Sequence, residues 1–79
     1  MDEIVVDAKM DFQMAEKVAK SIAEKKGNAI LLAYHDNATG EKFPNVECCG
    51  ERSWEIYAIN RGGNLRVRVG NFEFIFRVE

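Results

Sequence analysis

Between Leu65 and Val78 the chain has little conformational choice. Leu-Arg-Val-Arg-Val leads into Gly70-Asn71, and Phe-Glu-Phe-Ile-Phe-Arg-Val follows. Two alternating runs separated by a short glycine-containing link are a strong hairpin signal. Pairing Val69 with Phe72 sets Val67 against Phe74 and Leu65 against Phe76 on one face. Arg66 then meets Ile75, and Arg68 meets Glu73, on the other. A slip of one residue would bury the arginines, so the apolar pattern fixes the register.

Ile4-Val5-Val6 is β-prone and suits an edge strand. From Phe12 to Lys26 the apolar period becomes helical: Phe12, Ala15, Ala19 and Ile22 step by threes and fours, with Val18 and Ala23 widening the stripe. Asp7 or Asp11 is placed to cap it, and Gly27-Asn28 to end it. Ala29 to His35 is a continuous apolar strand, and Asp36 to Gly40 is turn chemistry. A strand from about Phe43 to Cys49 and another from Ser53 to Asn60 complete the reading, with turns at Gly50 to Arg52 and at Arg61 to Asn64. If these turns hold, Cys48 opposes Trp54, Ala58 meets Val67 and Ile56 meets Val69. Trp54, Ile56 and Ala58 then join the hairpin's apolar face, beneath the helix. The expected fold is α+β: one amphipathic helix on an antiparallel meander of four to five strands, two layers in all.

A chain of 79 residues has room for one domain spanning residues 1 to 79 and one modest core. At this size only ~60% of the unfolded chain's surface is buried, so self-association is an expected source of further stability. A net charge of −2 argues against a nucleic-acid binder, which usually carries a basic excess. All lysines lie at or before Lys42 and all arginines at or after Arg52. No apolar run is long enough for a bilayer, and no secretory pattern opens the chain. The expected location is the cytoplasm.

Three groups of residues invite a functional reading. Cys48-Cys49 suggests a redox pair or half of a metal site, with His35, the one histidine, near enough to take part. Neighbouring residues of a strand point to opposite faces, however, which favours two structural thiols, one under Trp54 and one outward. The second group is the hairpin's far face. Tyr57, Ile59 and Ile75 make an apolar strip rimmed by Arg66, Arg68 and Arg77, a composition suited to a protein interface. The same arginines with Tyr57 also suit single-stranded RNA stacked on a sheet, and the bland alternative is a solvated face with an Arg68–Glu73 pair. Third, Arg61-Gly62-Gly63 looks like an RGG element but is better explained as a turn. No nucleotide-binding, zinc-protease, nucleophile-elbow or calcium-loop pattern occurs, and no cofactor is expected.

Val46-Glu47-Cys48-Cys49-Gly50, Trp54-Glu55-Ile56-Tyr57-Ala58 and Arg61-Gly62-Gly63-Asn64-Leu65-Arg66-Val67 together resemble a family of small uncharacterised α+β proteins from anaerobic, sulfate-reducing prokaryotes. That resemblance carries no catalytic or binding residues with it. The sequence therefore leads to a non-enzymatic interaction module, expected to form a homodimer through its sheet. The thiol-based redox or metal-handling protein and the RNA binder stand as alternatives.

Overall fold

A computed structural model of the chain describes residues 1–45 and 52–79. Seven elements follow one another: β1 (Asp2–Val6), α1 (Phe12–Glu24), β2 (Ala29–Asp36), β3 (Lys42–Phe43), α2 (Ser53–Asn60), β4 (Leu65–Val69) and β5 (Phe72–Val78). The strands form one sheet in the order β1-β4-β5-β2-β3. The hairpin has the expected register throughout, from Leu65 opposite Phe76 to Val69 opposite Phe72. Gly70 takes φ +59° at the turn. Positive φ is what a tight hairpin needs at that position, and a side chain there rarely tolerates it.

Alternation in β4 and β5 gives the sheet two apolar faces. On the first, Leu65, Val67, Val69, Phe72, Phe74 and Phe76 are buried against Ala15, Ala19 and Ala23 of α1. The three alanines recur every fourth residue, so they line one side of the helix and let its backbone lie close to the sheet. Asp11 caps α1, its carboxylate accepting from the Met14 N–H at 2.9 Å. Phe12 fills the space at that end, with its ring 4.8 Å from Tyr34, 5.6 Å from Phe72 and 5.8 Å from Phe74. Burying each phenylalanine contributes roughly 2–3 kcal/mol, so this face supplies most of the hydrophobic stabilisation.

The second face departs from expectation. Ser53–Asn60 is the helix α2, not a strand. Trp54 and Ala58 pack from it onto Ala33 and Ile75, with Leu32 alongside, opposite α1. They do not share the α1 face as the meander required, and Ile56 is exposed. Helices therefore cover both sides of the sheet. The α+β class and the mostly antiparallel sheet are as expected, but the connectivity is not a meander. The place beside β4 meant for Ser53–Asn60 is taken by β1, which runs parallel to it, Asp2 opposite Leu65 through Val6 opposite Val69. Ile4-Val5-Val6 is thus a strand at the sheet edge. Of the expected Phe43–Cys49 strand, residues 43–45 are described, and of these only Phe43 lies in a strand, the two-residue β3. The expected facing of Val46, Cys48 and Cys49, and the turn at Gly50, lie outside the described residues. A bulge falls at Leu32: Leu31 opposes Phe76 and Ala33 opposes Ile75.

Candidate functional site

The residues singled out from the sequence separate into three places. Ile75 is fully buried beneath α2 and cannot belong to an exposed strip. Tyr57 and Ile59 lie on α2 rather than on a strand. Arg77 flanks the C-terminal end of α2, its Nη1 3.5 Å from the Arg61 carbonyl and its Nε 3.1 Å from Glu79. Arg66 and Arg68 point to the same side of the sheet as α2, but they are engaged with carboxylates rather than arrayed as a free platform.

Arg66 is the centre of that ionic cluster. Its guanidinium hydrogen-bonds Glu55 of α2, lies 3.5 Å from Glu73 of β5 and approaches Glu3 of β1 to 4.0 Å. Arg52 also holds Glu55 at 2.6 Å, and Arg68 meets Glu73 through Nε at 3.4 Å. The expected Arg68–Glu73 pair is therefore present, with Arg66 sharing its carboxylate. Burial alone would raise the Glu55 pKa. The hydrogen bonds from Arg66 and Arg52, with their charges, outweigh it and hold the carboxyl below its ordinary value.

Beside the cluster lies an open cleft of about 680 Å³. The end of β2 gives it His35, β3 gives Lys42, and the start of α2 gives Arg52 and Trp54. The β4–β5 hairpin adds Arg68, Gly70, Asn71 and Glu73. His35 lies flat on Trp54, ring centroids 5.0 Å apart and planes within 6°. Its Nδ1 is shielded from solvent, makes no hydrogen bond among the described residues and lies 4.0 Å from Glu73. Asp36 fixes the rim: its carboxylate accepts from the Ala38 N–H, the Thr39 hydroxyl and the Asn71 side-chain amide at 2.8, 3.0 and 2.6 Å. Burial pushes the Asp36 pKa up, but these bonds prevail and hold it below the ordinary range. Sequence reasoning missed Arg52, Trp54, Lys42 and Asn71 as neighbours of His35. The Arg52–Glu55 spacing of three was the available signal for a helix that gathers them.

Cys48 and Cys49 lie outside the described residues, so the pairing of His35 with a thiol does too. Among the described residues no three His, Cys, Asp or Glu side chains converge as metal ligands, and no helix is long and apolar enough to cross a membrane.

Comparison with known proteins places this fold among relatives. An uncharacterized protein of Archaeoglobus fulgidus is 52% identical over 81 residues, an alignment covering all of this chain and 89% of the relative. The crystal structure described as a novel non-family-model protein, AF1514, from the same organism superposes with a TM-score of 0.95 at 52% identity, covering all of this chain and 95% of that one. A family model described as a domain of unknown function, DUF5619, matches residues 1–78. The chain belongs to the DUF5619 family, and with a relative in Archaeoglobus fulgidus it fits the small uncharacterised family that the Cys-Cys and Arg-Gly-Gly segments suggested.

Proposed function

We propose that this chain is a non-catalytic, cytoplasmic interaction module that forms a homodimer through the outward side of α2. The observation carrying this reading is that α2 is apolar on both sides. Trp54 is 3% exposed and Ala58 fully buried on the sheet side, while Ile56 and Ile59 remain 43% and 50% exposed on the other. A helix covering one face of a sheet normally turns polar residues to solvent. Ile30 of β2, 43% exposed, lies on the same side of the sheet as α2. Its strand partner is Arg77, which reaches the Arg61 carbonyl at the end of α2 next to Ile59. Tyr57, with the Arg61 guanidinium carbon 3.7 Å from its ring centroid, supplies an aromatic–arginine rim of the sort enriched at interfaces.

A second copy is the occupant this surface suits. Ile56 and Ile59 are three residues apart on a short helix, a spacing that can mesh with its own copy about a two-fold axis. A small core also leaves room for association to add stability. Sedimentation equilibrium at high micromolar concentration tests this: the expected mass is that of two chains, and Ile59→Glu should return it to one. Neither residue is needed inside the monomer, so far-ultraviolet circular dichroism should be unchanged. A single-chain mass for the parent protein would overturn the reading.

A further inference from the structure

We propose that the cleft over His35 and Trp54 is a binding site for a phosphate group, carried by a small polar molecule. Arg66 is committed to Glu55 and Glu73, and its one charge offsets one of these two inner carboxylates. Arg52 and Arg68 then each touch a carboxylate already satisfied from another side. Lys42 makes no ion pair among the described residues, and Arg68 meets Glu73 through Nε with 43% of its side chain exposed. The cleft wall therefore presents three cations, Lys42, Arg52 and Arg68, against Glu73 in the wall and Asp36 at the rim. This local positive excess stands on a molecule whose net charge is −2. A concave site in which one sign of charge predominates concentrates the opposite sign.

The remaining walls narrow the ligand. The Asn71 side chain and the backbone at Gly70 and Gly40 are polar and compact, and Trp54 is covered by the imidazole of His35, so no open aromatic face invites a stacked base. Guanidinium groups match the spacing of phosphate oxygens, and a lysine adds a point charge. A volume of about 680 Å³ leaves space for more than the anion itself, within the range usual for small-molecule sites. The shared chemistry is the phosphate; free phosphate and a phosphate ester are its two possible sources.

The experiment is a titration of ¹⁵N-labelled full-length protein with inorganic phosphate and, separately, with ribose 5-phosphate. Saturable shifts are expected at the amides of His35, Gly70 and Asn71 and at the Trp54 indole. Lys42→Gln and Arg68→Gln should each weaken binding by about tenfold, the scale of one charge-assisted contact. Spectral dispersion verifies that each variant is folded. Tighter binding of ribose 5-phosphate identifies an ester as the ligand, and equal binding identifies free phosphate. Absence of saturable shifts with both probes at millimolar concentration would overturn the proposal. Binding unchanged in both folded variants would overturn it equally, because the anion would then sit elsewhere.

Discussion

At the residue scale, Arg66 decides more than any other side chain outside the aromatic core. Its side chain is largely buried with Glu55 and Glu73 on either side. Removing a buried charge leaves its partners uncompensated, and that loss exceeds the worth of an exposed ion pair. Arg66→Gln should therefore destabilise the fold by about 2–4 kcal/mol in urea unfolding. Adding Glu73→Gln should recover part of the loss, because one stranded carboxylate is then neutral. The same cluster predicts an acid response. Glu55 and Asp36 have folded pKa values below their ordinary ones, so the unfolded chain binds protons first as pH falls. Their stabilisation is complete above the ordinary carboxylate range and disappears as pH drops through the lowered values. Urea midpoints should fall over that interval. In Arg66→Gln the fall should be shallower, because burial then acts on Glu55 with less opposition.

At the element scale, α2 separates what the sequence disclosed from what it concealed. The β4–β5 hairpin was legible down to each cross-strand pair because two constraints agreed: strict alternation and a turn of fixed length. α1 was legible because its apolar stripe follows the helical period and Asp11 stands at its start. Ser-Trp-Glu-Ile-Tyr-Ala-Ile-Asn has no such stripe. It is β-prone in composition and apolar on nearly every side, so period and propensity both favoured a strand. The helix wins because Trp54 and Ala58 can cover Ile75 only from above the sheet. Misreading this element also dispersed the site, since Arg52 and Trp54 meet His35 only when α2 starts beside the end of β2. The close fit of α2 can be tested at Gly63. A Cβ there would lie 2.8 Å from Ile75 Cγ2 and 2.9 Å from the Ala58 carbonyl oxygen. Gly63→Ala should push the end of α2 off the sheet and cost about 1–3 kcal/mol in thermal unfolding, the usual scale for overpacking.

At the scale of the whole molecule, one sheet separates a large aromatic core under α1 from a smaller one under α2. The parallel seating of β1 against β4 joins the start of the chain to its last hairpin. No local pattern encodes such a partnership between distant segments. Alternation says which side chains face inward, not which strand lies next door. Both cores draw on β2 because successive paired residues face opposite sides, Leu31 the first core and Ala33 the second, and the extra Leu32 packs beside Ala33. Taking one residue out of a strand ordinarily turns everything beyond it inside out. Here the excision of Leu32 should do the reverse, straightening the ladder while every other partner of β5 keeps its place. Such a shortened protein should fold with Trp54 still shielded from fluorescence quenchers, losing only about 1–2 kcal/mol for the missing half-buried leucine. The strand thus contains one position where the chain tolerates a change of length that it would refuse elsewhere in the sheet.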